Sequence, residues 1–151
     1  MKRKRLTLLL VLALTGGTAT AQDKGAWRAT STTAESITGD IAFGDEKITI
    51  GLATFPIAEI RPLRSGEAAA LFDAEPKDTG SGHLYRVSIP AGKTFLNKNT
   101  LCGSEVTDWV ATYVSGRMMQ LALFSGQKMP VMSAEALANT TTLCGIFSYS
   151  K

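Results

Sequence analysis

From Lys47 onward the apolar residues recur at every second position, in short runs broken by glycine or proline. That period belongs to half-buried strands, because successive side chains point to opposite faces of a sheet. Ile48, Ile50 and Leu52 alternate with Lys47, Thr49 and Gly51. Tyr85, Val87 and Ile89 share one face, with Arg86 and Ser88 on the other. Trp109, Ala111 and Tyr113 oppose Val110, Thr112 and Val114, and Ser115-Gly116 then supplies a tight hairpin turn. Arg117 to Phe124 is apolar on both faces, as in a central strand or one lying under a second layer. Ile146-Phe147-Ser148-Tyr149 reads as a closing strand. Helical signals are brief: Glu67 to Phe72, and Ser133 to Ala138 between an N-cap serine and Asn139. Gln22 to about Ala34 reads as a lightly held arm anchored by Trp27, and Pro56 to Pro62 as an extended edge segment. The expected fold is all-β with minor helix, an antiparallel barrel or sandwich of about seven or eight strands with one or two short helices.

The first residues speak to compartment. Lys2 to Arg5 are basic, Leu6 to Leu14 are largely apolar, and Ala19-Thr20-Ala21 presents the small residues of a cleavage site. The apolar run is short of the roughly 20 residues that a spanning helix needs. Residues 1–21 are therefore expected to be a cleaved signal peptide and 22–151 a single β-rich domain, bacterial, and periplasmic or secreted, with no membrane span in the mature protein. Removing Lys2, Arg3, Lys4 and Arg5 from the 16 basic residues leaves 12 against 13 acidic ones, a balance of −1. No basic stripe remains, and nucleic acid is not an expected partner.

The two cysteines sit in repeated tetrapeptides, Thr100-Leu101-Cys102-Gly103 and Thr142-Leu143-Cys144-Gly145, whose flanking sequences do not repeat. With one histidine in the chain, His83, neither a zinc site nor another metal centre is expected. The Cys-x-x-Cys spacing of a redox pair is absent. In an oxidising compartment Cys102 and Cys144 are expected to form a structural disulfide. Closing the loop between them would restrict the unfolded chain by about 4 kcal/mol in the entropy model. Catalytic signals are thin. Gly80-Ser81-Gly82-His83 has the look of a turn, no nucleophile elbow or phosphate loop occurs, and Asp45, Glu46, Asp73, Glu75 and Asp78 lie in hydrophilic turns. No catalytic residue and no cofactor is expected. Met118, Met119, Met129 and Met132 read as core filler.

What remains is binding by a surface or a loop. Ser81-Gly82-His83-Leu84-Tyr85 resembles the Ser-Gly-x-x-Tyr motif of the periplasmic and membrane-bound inhibitors of c-type lysozyme, which are small secreted β-barrels. The resemblance implies that Ser81 enters the lysozyme cleft and engages its catalytic carboxylates, with Gly82 and Tyr85 completing the motif. The family adds a lysine from a following loop, shortly after an aromatic residue and before a glycine. In Phe95-Leu96-Asn97-Lys98-Asn99 the corresponding cation is Lys98, without the glycine, and Lys93 is a further cation nearby. The expected function is a non-enzymatic binding domain for a protein or envelope ligand, lysozyme inhibition being its sharpest form. An envelope structural or assembly accessory without a discrete site is the alternative, and a small hydrolase using His83 the third.

Overall fold

A computed structural model of the chain describes residues 22–151. The expected signal peptide, residues 1–21, lies outside the described residues. The eight strands are β1 (Gly25–Ala29), β2 (Ile41–Phe43), β3 (Lys47–Ile50), β4 (Ala53–Pro62), β5 (Ser81–Ile89), β6 (Thr107–Ser115), β7 (Met118–Ser125) and β8 (Leu143–Ser150). They close an antiparallel barrel in sequence order, β1 pairing β8 through Arg28↔Ser150 and Ala29↔Tyr149. Of barrel and sandwich, the barrel is the outcome.

Closure follows from the inward residues. Trp27, Ile48, Ile50, Ile89, Val110, Met119, Leu121, Leu123, Phe147 and Tyr149 are almost wholly shielded and form one cluster inside the barrel. Eight strands leave an interior that side chains can fill, so this barrel is packed rather than hollow. Truncating one of its buried leucines to alanine would cost about 2–5 kcal/mol.

The outer face of β5 to β7 carries a second apolar cluster, in which Leu84, Trp109, Ala111, Tyr113 and Phe124 meet Ala68, Leu71 and Phe72 of helix α2 (Ser65–Phe72) and Met132. That second layer is why the 117–124 run is apolar on both faces. Arg86 lies over the Trp109 ring at 4.7 Å and pairs with Asp108 at 2.9 Å, closing one margin of the layer. Helix α3 (Ala134–Ala138) starts at its N-cap Ser133, whose side chain accepts from the Ala136 N–H, and ends at Asn139, as the sequence suggested.

Two expectations need correction, those for the 22–34 arm and for the methionines, and the one for the 56–62 segment is refined. The 22–34 arm is a barrel stave followed by a third short helix, α1 (Thr32–Ile37), capped by the Ser31 hydroxyl. Its Trp27 is buried with its indole N–H donating to the Asp23 carbonyl at 2.6 Å, so a single large side chain suffices to hold a short strand. The 56–62 segment is extended, as expected, and one-sided: β4 pairs β3 only up to Pro56 and pairs β5 alone from Ile57 onward. Its prolines stand where the ladder changes sides and at the strand's end, where a missing N–H is tolerated. Of the four methionines, Met119 and Met132 are core, while Met118 and Met129 are 49% and 44% exposed.

The meander gives the barrel two distinct ends. Residues 22–24 and the β2–β3, β4–β5 and β6–β7 connections lie at one, here called the rim. The β1–β2, β3–β4, β5–β6 and β7–β8 connections lie at the other. There Cys102 bonds Cys144, the S–S distance being 2.00 Å and the Cα–Cα separation 5.0 Å, and ties the β5–β6 connection to the start of β8. This is the stapled end. No helix among the described residues is long and apolar enough to cross a membrane.

Candidate functional site

Strand β5 starts at the rim and runs through the core, and its inward positions change character toward the rim. Ile89 and Val87 are core; Tyr85, His83 and Ser81 follow at the same two-residue spacing. On the neighbouring strand Thr112 sits inward between Val110 and Val114, opposite His83. The result is a patch of polar groups inside the barrel mouth.

Asp23 fills that patch and is wholly buried. Its carboxylate accepts from the Thr112 hydroxyl at 2.5 Å and the Tyr85 hydroxyl at 2.8 Å, and lies 3.2 Å from His83 Nδ1 through either oxygen. A buried carboxylate is tolerable only when it is paired and hydrogen-bonded. Burial alone would push the Asp23 carboxyl up; the bonds from His83, Thr112 and Tyr85 more than reverse this and hold it below the ordinary range. The bond to Asp23 in turn raises the His83 imidazole above its usual value, against a smaller opposing effect of burial. Tyr85 is pushed well up, first by burial and then by the Asp23 charge, so its hydroxyl stays a donor. The other imidazole nitrogen, Nε2, faces Glu59 at 3.6 Å.

Both ring nitrogens therefore look at carboxylates. That arrangement favours an imidazolium and leaves no lone pair for general-base work. Among the described residues no hydroxyl is hydrogen-bonded to His83, and no group of three His, Cys, Asp or Glu side chains is arranged to hold a metal ion. In the fold the cluster holds Asp23 to β5 and β6. Around it, Lys151 Nζ donates to the Lys24 carbonyl at 2.9 Å and lies 4.4 Å from the centre of the Trp27 ring, and Lys24 pairs with Asp45.

The Ser-Gly-x-x-Tyr residues divide by duty. Tyr85 is core, its ring 5.6 Å from that of Phe43. Gly82 is required by packing: a Cβ there would stand 2.5 Å from the Thr112 carbonyl oxygen and 2.8 Å from Leu63. Gly80 is likewise pressed against Tyr113, at 2.6 Å. Ser81 alone is lightly used, half-buried, with its hydroxyl 3.3 Å from the Gln22 side-chain oxygen. It opens onto a cleft of about 470 Å³ between β5 and α2, lined also by Leu63, Ala68, Ala74 and Tyr113.

Lys98 is not beside Ser81. It follows β5 at the stapled end, in the 3₁₀ turn Leu96–Lys98, while Ser81 begins β5 at the rim. Nine strand residues separate the two ends, about 30 Å at strand rise. Lys93 lies on the same far connection. Arg64 lines the same cleft as Ser81, and Arg117 is exposed at the same end, in the β6–β7 turn beyond the Ser81↔Val114 and Ser115↔Met118 pairs. The Arg117 guanidinium donates to the Lys151 carbonyl oxygen through Nε at 3.0 Å and Nη2 at 2.6 Å.

Sequence reasoning missed Asp23, Glu59 and Arg117 and saw Thr112 only as one of an alternating face. One signal was available: a threonine among inward valines asks for a polar partner inside the barrel. Nothing in the residues around Asp23 announces that its side chain is that partner. The chain matches no protein-family model, no curated protein and no solved structure.

Proposed function

We propose that the chain acts outside the cytoplasm as a non-enzymatic binding domain, with the barrel rim around Ser81 as its contact surface and c-type lysozyme as the sharpest choice of target. The disulfide and the N-terminal sequence favour a periplasmic or secreted setting. One observation carries the binding surface. A lightly used hydroxyl, Ser81, and an exposed guanidinium, Arg117, occupy neighbouring connections at the same end of a rigid barrel. A hydroxyl and a cation held at fixed spacing complement a pair of carboxylates in a cleft, where charge-assisted hydrogen bonds are about twice as strong as neutral ones. In this reading Arg117 takes the part that the family gives to a lysine, and Lys98 takes none.

The test is titration of purified residues 22–151 into c-type lysozyme with a cell-wall substrate. Inhibition is expected at micromolar protein, weakened about tenfold by Ser81→Ala or Arg117→Ala, each of which removes a bond to a charged group. Lys98→Ala should leave it unchanged. No inhibition, or loss on Lys98→Ala alone, overturns the rim reading. The packing duties of Gly82 and Tyr85 favour a second reading, an envelope accessory with no discrete site, since they account for most of the motif without a ligand. Absence of inhibition would leave that reading standing.

A further inference from the structure

The two groups that the rim reading offers to a partner are already engaged, by opposite ends of the described residues. The Ser81 hydroxyl donates to the Gln22 side-chain oxygen at 3.3 Å, and the Arg117 guanidinium donates twice to the Lys151 main-chain oxygen, at 3.0 and 2.6 Å. Lys151 joins the two: its Nζ donates to the Lys24 carbonyl at 2.9 Å and reaches the Gln22 carbonyl at 3.4 Å. Gln22, Lys24, Arg117 and Lys151 are all exposed. A line of surface hydrogen bonds, Ser81 to Gln22 to Lys151 to Arg117, thus lies over the place where the rim would meet another molecule.

What lies beneath that line is fixed. Asp23 is wholly buried among His83, Tyr85 and Thr112, and the Trp27 indole donates to its carbonyl at 2.6 Å. On the other side the Lys151 N–H donates to the Arg117 carbonyl at 2.9 Å, and Ser150 pairs with both Arg28 and Met118. The side chains of Gln22 and Arg117 and the Lys151 ammonium can therefore swing aside without disturbing the packed interior. Opening touches only exposed groups, and segments of that kind open at little cost.

The bonds are also open to displacement by one class of ligand. At 3.3 Å the bond from Ser81 to Gln22 is longer than the roughly 2.7–2.8 Å usual between a hydroxyl and an oxygen, and both its partners are neutral. A carboxylate offers the same hydroxyl a charge-assisted bond, about twice as strong. It also offers the planar Arg117 fork two oxygens where Lys151 supplies one. A partner without carboxylates has no such advantage over the oxygens of the chain itself, so the arrangement is selective as well as restraining.

We propose that Gln22 and Lys151 form an autoinhibitory clasp over the rim, which opens when the carboxylates of a partner displace them from Ser81 and Arg117. The clasp rests on the rim reading for its class of partner and adds the regulation of that site: apparent affinity falls with the fraction of molecules that stand open.

Gln22→Ala tests it, since it removes the competitor for Ser81 and leaves Ser81 and Arg117 in place. Gln22 is exposed, so the variant should keep the parent's melting temperature. In the lysozyme assay it should inhibit about threefold more tightly than the parent, the low end for one net hydrogen bond and opposite in sign to Ser81→Ala. A second titration needs no lysozyme. Succinate, a plain dicarboxylate, is added to residues 22–151 while the Arg117 Nε–H resonance is followed by NMR, with sodium chloride of equal ionic strength as the control. The resonance should move with succinate and not with the control, and half-saturation should come at about threefold lower succinate in Gln22→Ala than in the parent. An Arg117 signal that succinate leaves in place, or equal half-saturation in the two proteins, overturns the clasp whatever lysozyme does. So does a Gln22→Ala variant that inhibits lysozyme no better than an inhibiting parent. If neither protein inhibits lysozyme but the succinate shift is seen, the target is wrong and the clasp stands.

Discussion

The two ends of the barrel are closed by opposite kinds of chemistry. At the rim a buried carboxylate draws in a histidine, a tyrosine and a threonine from two strands, and residues 23 and 24 are bound to the mouth by non-covalent contacts. At the stapled end one covalent bond joins the β5–β6 connection to β8, and the loops beyond it push leucine and lysine into solvent. The rim satisfies its polar groups internally; the stapled end leaves apolar ones unsatisfied. A site built from hydrogen-bonded groups inside a packed barrel is poorly placed to release them for a ligand. Ligand contact at the rim therefore falls to what the network does not use, Ser81 and Arg117. At the stapled end, by contrast, the covalent tie bears the structural load and frees the loop tips to point outward.

The sharpest way to break this contrast is to delete the rim's keystone. Asp23→Ala removes the one acceptor shared by three donors and opens a void between β5 and β6. Breaking a buried pair by removing one member costs about 3–5 kcal/mol. Chemical denaturation should show that loss, and the indole of Trp27, bonded to the Asp23 carbonyl, should report a changed environment by fluorescence. A loss below about 1 kcal/mol would mean that the network merely decorates the mouth.

The staple comes next. Cys102→Ser with Cys144→Ser should cost about 2–4 kcal/mol, mostly through the freed unfolded chain. Because the interior packing does not depend on the bond, the double variant should keep the parent's near-UV spectrum below its melting temperature. If instead the loss equalled that of Asp23→Ala and native packing vanished, the covalent tie would be organising the barrel rather than bracing it. Mass spectrometry of the unreduced protein should show two hydrogens fewer than the dithiol.

The same contrast explains what could be read from the sequence. Strand periodicity is local, so β3, β5, β6, β7 and β8 show in the residues, and the double-sided burial of β7 announces the helix layer. The cysteines needed only a compartment and a count. Asp23, however, is 60 residues from His83 and 89 from Thr112, and a buried network of that reach leaves no periodic trace. β1 escaped for a similar reason: Gly25 to Ala29 offers one large apolar residue, and its burial depends on β8 at the far end of the chain. The Ser-Gly-x-x-Tyr pattern was visible, but which face and which end each residue occupies was not. A second cation sought along the sequence leads to Lys98, whereas strand direction leads to Arg117.

The smallest effect expected is also the most specific to the rim: its dependence on pH. Asp23 is held below its ordinary range, so it contributes stability above its unfolded value, near 3.9, and this is lost as pH falls through the lower folded value. His83 is held above its ordinary range, so it contributes stability below its unfolded value, near 6.5, and this is lost as pH rises through the folded one. The rim should thus be firmest between about pH 4 and 6.5, softening on both sides. His83→Gln keeps a donor for Asp23 but cannot titrate. Its melting temperature should be lower than the parent's near pH 6 and should lose the parent's decline above that. The stapled end has no titrating group in its bond, so the cysteine variants should keep the parent's whole pH profile at a lower level. A parent protein whose melting temperature is flat from pH 5 to 9 would show that the imidazole titrates alike in the folded and unfolded chain, and that its pairing with Asp23 stabilises no charge. Asp23 would then be held by the Tyr85 and Thr112 hydroxyls alone.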